Sequence, residues 1–106
     1  MNNDKAVTGL SALAQPHRLT AFRLLVRAGS DGMTAGALAA ALDLPPSSLS
    51  FHIAHLHRAD LVTQKRDGRS LIYSANFDAM SALIAYLLEN CCTDERAATL
   101  KQEQST

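Results

Sequence analysis

Two adjacent cysteines, Cys91 and Cys92, are the only thiols of this 106-residue chain. A bond between sequence neighbours closes a strained ring, so a structural disulfide is not expected of them. Neighbouring thiolates are soft ligands, and once one has bonded a thiophilic ion the second closes at high effective concentration. Chelation of a soft ion is therefore one reading; a thiol redox switch and two small residues packed at a helix end are the others. Four histidines form the second group, His17, His52, His55 and His57. His52 and His55 stand at i and i+3, a spacing that puts both on one helix face and suits zinc, yet their setting among Ser47, Ser48, Ser50 and Phe51 favours contacts to a large polar partner. His17, beside Arg18 at a helix start, reads as structural or as part of a subunit interface. A third group, Lys65, Arg66 and Arg69, surrounds an Asp-Gly turn. No paired nucleophile and base, phosphate-cradling glycine loop or Cys-x-x-Cys motif accompanies them, so catalysis is not expected.

The partner of the basic group is suggested by how charge is distributed. The formal net charge is zero, but residues 15–75 carry seven Lys/Arg (Arg18, Arg23, Arg27, Arg58, Lys65, Arg66, Arg69) against four acids, while residues 76–106 carry Arg96 and Lys101 against five. A middle segment at +3 and a tail at −3 permit a phosphate-binding surface on a neutral chain. With 47% apolar and 19% charged residues the composition is that of one ordinary globular domain. The apolar runs are too short to span a bilayer, and the N-terminal segment lacks the basic and apolar regions of a secretory signal. A cytoplasmic location without membrane contact is the expectation.

The elements that must hold these groups follow from spacing. Apolar positions at residues 10–13, then Leu19, Phe22, Leu25 and Val26, predict two helices broken near Gln15-Pro16, the second ending at Gly29. Thr34 can cap a third helix over residues 35–42. A turn through Asp43, Leu44 and Pro45 leads to a fourth, opened by Pro46 or Ser47 and running to Arg58. Leu49, Ile53 and Leu56 then face the core, and Ser47, Ser48, Ser50, Phe51, His52 and His55 face solvent or a partner. Residues 61–65 and 70–74 read as a hairpin with Arg66 and Arg69 at its tip. Asn76 can cap a last helix whose stripe of Met80, Leu83, Ile84, Leu87 and Leu88 is too wide for a lone surface helix and implies a second subunit. Residues 1–92 form the domain; residues 93–106 are polar and are expected to be a flexible tail. The fold class is mostly α with a β-hairpin wing. This order of elements is a winged helix-turn-helix: the fourth helix enters the major groove of double-stranded DNA, and the arginines reach phosphates or the minor groove.

Three stretches sharpen this reading: LSALAQPHRLTAFRLL, LAAALDLPPSSLSFHIAHLHRADLV and RDGRSLIYS. Together they resemble the ArsR family of metal-responsive repressors over roughly residues 9 to 88. The resemblance implies a homodimer joined through its first and last helices, which leaves its operator DNA when an ion binds. It places Ser47, Ser48, Ser50, Phe51 and His52 on the recognition helix. Phe51 departs from relatives with histidine there, and an aromatic ring can contact a thymine methyl. Relatives that sense arsenite on the third helix carry a pair of cysteines there, whereas this helix reads Ala37-Leu38-Ala39-Ala40-Ala41-Leu42, and relatives that sense zinc on the last helix need histidines and acids where this one offers Asp78 and Glu89 but no histidine. Cys91 and Cys92 remain. Trivalent arsenic or antimony suits vicinal thiolates, and because inorganic arsenite prefers three sulfurs, a third would have to come from water or the partner chain. A mono-organic arsenical such as methylarsenite needs only two. The expectation is a repressor released by a trivalent arsenical at Cys91 and Cys92, as in the subgroup with a vicinal C-terminal pair.

Overall fold

A computed structural model describes residues 1–93, so residues 94–106 of the expected tail lie outside the described residues. Helix α1 spans Asn3–Leu13 and is capped by Asn2, whose side chain accepts from Lys5 N at 2.9 Å. It begins well before the large apolar residues from which a helix was expected. Its inner side is built of Ala6, Gly9 and Ala12, all buried, which spacing of large residues does not reveal. Helix α2, Pro16–Ala28, starts as expected with proline in its first turn; Gln15 supplies the cap, accepting from Arg18 N at 2.9 Å. Gly29, at φ 69°, ends it.

A 3-10 turn, Gly29–Asp31, leads to strand β1, Met33–Thr34, too short to leave a sequence pattern. It pairs antiparallel with a later strand, Met33 against Tyr73 and Thr34 against Ile72. Gly32 makes this approach possible: its φ is 68°, and a Cβ there would collide with the Tyr73 carbonyl oxygen. Thr34 then caps α3, Ala35–Leu42, accepting from Ala37 N at 3.1 Å. Asp43, left-handed at φ 54°, closes α3, and α4, Pro46–Arg58, opens on proline.

Strands β2, Val62–Asp67, and β3, Ser70–Ala75, form the hairpin, and the sheet order is β1-β3-β2. Pairing continues out to Asp67 against Ser70, so the turn is Gly68-Arg69 alone rather than the four-residue tip expected. Gly68 has φ 63° while Arg69 does not share the positive sign, which is the pattern of a II′ turn with glycine first. Leu25 from α2, Leu38 from α3, Leu49 and Leu56 from α4, and Leu61 are fully buried and centre the core. Each such leucine contributes about 1.5–3 kcal/mol by leaving water. The stripe expected on α4, Leu49, Ile53 and Leu56, is the one that is buried.

Helix α5, Phe77–Leu88, is tied to the end of α4 through its cap: Asn76 Oδ1 accepts from Ala79 N at 3.2 Å, and Asn76 Nδ2 donates to the Asp60 carbonyl at 2.8 Å. Leu83 alone on this helix is buried, whereas Ile84, Leu87 and Leu88 are 50%, 56% and 60% exposed. Helix α1 lies against α5, with Tyr86 Oη donating to Asn3 Oδ1 at 3.3 Å, and it exposes Val7 and Leu10. Three of the five residues of the expected apolar stripe therefore remain in water on the single chain. No helix among the described residues is long and apolar enough to cross a membrane.

Candidate nucleic-acid interface

The outer face of α4 combines small polar, aromatic and basic groups. Ser47, Ser50 and Phe51 are exposed, as expected; Ser48, His52 and His55 are half-buried, because they lie on the flank that turns toward α2. Phe51 is 61% exposed, a large apolar cost for a side chain that the chain itself covers only at its edge. Its ring meets those of His52 and His55 edge-on, with centroids 5.5 and 6.1 Å away. On the opposite flank stands the hairpin, where Lys65, Arg66 and Arg69 are all exposed. Between α4 and the hairpin runs a crevice of about 190 Å³, lined by Ser50, His57, Arg58 and Gln64 among others. Arg58 was not singled out from sequence, although Phe51, His55 and Arg58 fall at i, i+4 and i+7 and so continue the outer stripe.

The second residue that sequence reasoning left unassigned is Arg18. It is 9% exposed, and its Nε donates to the Ala12 carbonyl at the end of α1, 2.7 Å away. Its Nη1 lies 3.3 Å from His52 Nδ1 on α4. His17 stacks at a tilt on His52, centroids 5.5 Å apart, so it serves the α2–α4 corner. Burial, then Arg18, His17 and His55 in that order, push the His52 imidazole below its ordinary 6.5. Burial, then Arg18 and Arg58, push His55 down as well, and His55 Nδ1 is buried without a hydrogen-bond partner. Both rings are thus neutral near pH 7. The zinc pairing of His52 with His55 finds no support here, since His52 Nδ1 already faces a cation.

The fold and the face lead to known proteins. A family described as a helix-turn-helix domain matches residues 13–65. The HTH-type transcriptional regulator YgaV of Escherichia coli is 33% identical over 89 residues, covering 84% of this chain and 88% of YgaV. The solved structure of an ArsR-like transcriptional regulator from Rhodococcus superposes with a TM-score of 0.74 at 25% identity, over 93% of this chain and 92% of the other. The chain belongs to the ArsR family of winged helix-turn-helix transcriptional regulators. The nodulation protein NolR of Rhizobium meliloti is 37% identical over 78 residues, 74% of this chain, and that stretch spans 62% of NolR. In this ArsR-family chain the helix-turn-helix is α3–α4 and the wing is β2–β3. These are regulators rather than enzymes.

The thiol pair lies elsewhere, beyond the end of the last helix. Helix α5 ends at Leu88, so Cys91 and Cys92 occupy the turn beyond it rather than its last turn. Cys91 N donates to the Leu88 carbonyl at 2.9 Å, and Asn90 and Cys92 both take left-handed φ, 61° and 65°. This reversal brings the two sulfurs side by side, with Cys91 exposed and Cys92 half-buried. Asparagine tolerates that conformation easily; a cysteine does so less readily. Among the described residues, no group of three or more His, Cys, Asp or Glu is placed to hold a metal ion.

Proposed function

We propose that this ArsR-family protein is a homodimeric repressor that binds double-stranded operator DNA and releases it when a trivalent arsenical bonds Cys91 and Cys92. The observation that carries the reading is the pairing, on one chain, of an outward α4 beside a basic wing with a thiol pair at the foot of α5, the helix whose apolar face lacks a cover. Two copies joined through α1 and α5 bury Val7, Leu10, Ile84, Leu87 and Leu88, and present two α4 helices to successive major grooves roughly 34 Å apart. Ser47, Ser48, Ser50, Phe51, His52 and His55 then meet base edges and nearby phosphates, while Lys65, Arg66 and Arg69 meet the backbone or minor groove.

Two adjacent sulfurs are a donor set for a soft centre that takes two protein bonds. Methylarsenite spends its third bond on carbon, so a two-thiol site favours the organic arsenical; arsenite or antimonite would need a third donor from water or the other subunit. Each thiol replaces one hydroxyl of the arsenical, its proton leaving with that hydroxyl as water; the two As–S bonds draw both sulfurs onto one arsenic atom and reshape the turn after α5, which biases the α1–α5 seam and thereby the spacing of the two recognition helices. Coupling of about 1–3 kcal/mol, or roughly 5- to 150-fold in DNA affinity, suffices.

The test is fluorescence anisotropy of the reduced protein on duplex DNA from upstream of its own gene, titrated with methylarsenite, arsenite and zinc. Release by methylarsenite well below the arsenite concentration, abolished in Cys91→Ser with Cys92→Ser, is the expected result. Normal release from that double variant would overturn the assignment of the site. Release by a peroxide in the absence of any metalloid, equally lost in the double variant, would replace the arsenical with a thiol redox switch.

A further inference from the structure

The corner between α2 and α4 has a chemical property that the family assignment leaves open. A guanidinium carries only N–H donors, so where Arg18 Nη1 approaches His52 Nδ1 at 3.3 Å, that nitrogen must be the acceptor. The imidazole proton then resides on Nε2, at the far side of the ring. Arg18 is not free to turn away: it is buried, and its Nε is spent on the Ala12 carbonyl at 2.7 Å. The ring of His52 is further held between His17 on α2 and Phe51 on its own helix, each with a centroid 5.5 Å away.

We propose that Arg18 is a positioning residue that locks His52 in its Nε2–H tautomer, and that this neutral Nε2–H is a hydrogen-bond donor through which α4 takes an acceptor on DNA. The inference rests on the DNA-binding reading given above. A second proton on His52 could enter only at Nδ1, where it would break the bond from Arg18 and set two cations against each other. The groups facing the ring, Arg18 and His17 from α2 and His55 from α4, bring cationic character or none, and burial adds to their effect, so the neutral ring persists to lower pH than an ordinary histidine. The contact is accordingly that of a neutral donor: it discriminates acceptors, such as a purine N7, guanine O6 or a phosphate oxygen, from donors, and it does not strengthen on mild acidification as an imidazolium contact would.

Nitrogen-15 spectra of the full, reduced protein test the first half without DNA. The expected spectrum shows an unprotonated, hydrogen-bonded Nδ1 and a protonated Nε2 for His52, with a titration midpoint below 6.5, and a mixed tautomer in Arg18→Met, which offers Nδ1 no donor. An Nδ1–H ring in the wild type overturns the lock. The second half is read on duplexes selected from a random library by the wild type. His52→Asn keeps an acceptor for Arg18 but loses the outward donor, and because a dimer loses it at both half-sites it is expected to bind roughly 5- to 150-fold more weakly, the size of two neutral hydrogen bonds. His52→Gln, whose amide nitrogen mimics Nε2, restores most of that loss. Equal binding by His52→Asn and wild type overturns the donor. A 7-deazapurine at one selected position abolishing the difference identifies a base edge; a methylphosphonate doing so identifies the backbone. A wild type that selects no duplex removes the DNA reading and the donor together, while the tautomer is decided by the spectra alone.

Discussion

Truncating two leucines of α5, Leu87→Ala with Leu88→Ala, should dissociate the protein without unfolding it. Leu87 and Leu88 are 56% and 60% exposed on the single chain, so about half of each side chain is still available for burial against a second copy. Burying a whole leucine is worth about 1.5–3 kcal/mol, which makes each half-exposed side chain worth roughly 0.8–1.5 kcal/mol at an interface. A two-fold axis uses every residue twice, and four truncations therefore cost about 3–6 kcal/mol of association. At 1.4 kcal/mol per tenfold, the dimer dissociation constant rises about 10²- to 10⁴-fold. Sedimentation velocity over a dilution series measures it, and circular dichroism checks that helix content is retained, since neither side chain belongs to the core that holds α5 through Leu83. Operator affinity should fall in step, because two half-sites are held only by the pair. A dissociation constant changed less than threefold, or a wild type that is monomeric at micromolar concentration, would refute the placement of the seam on α1 and α5.

Other perturbations have readings as direct. Gly32→Ala puts a Cβ against the Tyr73 carbonyl at φ 68° and should cost about 3 kcal/mol or more, lowering Tm by roughly 12–24 °C, whereas Gly36→Ala, with open space around it, should hold Tm or raise it slightly; equal melting of the two variants would contradict the β1–β3 geometry. Arg66→Ala with Arg69→Ala should weaken DNA binding evenly across sequences and flatten the plot of log affinity against log salt by about 0.9 for each phosphate no longer neutralised, up to roughly 3–4 per dimer; an unchanged slope would remove the wing from the backbone. His52 and His55 are both depressed below 6.5, so the unfolded chain binds more protons than the folded one just below that pH, and stability should decline as pH falls from 6.5 toward the lower folded-state values, the decline shrinking in His52→Gln with His55→Gln. A pH-independent Tm across that window would contradict it.

Much of this fold is legible because local rules and tertiary packing agree. Thr34 and Asn76 cap the helices expected of them, Gly29 ends α2, and Leu49, Ile53 and Leu56 bury the face their spacing indicated. The misses have physical reasons. The first half of α1 packs through Ala6 and Gly9, and small residues carry no hydrophobic period. Strand β1 has two residues and exists only because Gly32 lets the chain approach β3. The wing turn is tighter than expected because Arg66 and Asp67 still pair across the hairpin. Within the site, the outward residues of α4 and the wing were readable from their types, but the Arg18–His52 contact joins residues 34 apart and no spacing rule reaches it. The cysteines were recognised for their chemistry, while their place beyond the helix depends on left-handed Asn90 and Cys92.

The two ends of the proposed switch are joined by a short chain of rigid parts. Helix α1 touches α5 along the seam, with Asn3 bonded to Tyr86 in the last turn of α5. The other end of the same helix offers the Ala12 carbonyl to Arg18, and Arg18 holds His52 on α4. An 11-residue helix is about 16 Å long and does not bend appreciably over that length, so a tilt of α5 that carries Asn3 must also displace Ala12. Arg18 is buried and cannot follow by taking up water instead; it must either keep Ala12 and drag the α2–α4 corner or leave a carbonyl unpaired, at about 1–3 kcal/mol. That penalty is of the same size as the coupling assumed for the proposed release, so Arg18 is one link through which the proposed switch could act. In Arg18→Lys, where a single ammonium replaces the fork, DNA binding should persist with a smaller response than the wild type in the proposed release by an arsenical, because the recognition helix would no longer be held to the end of α1 by two bonds at once.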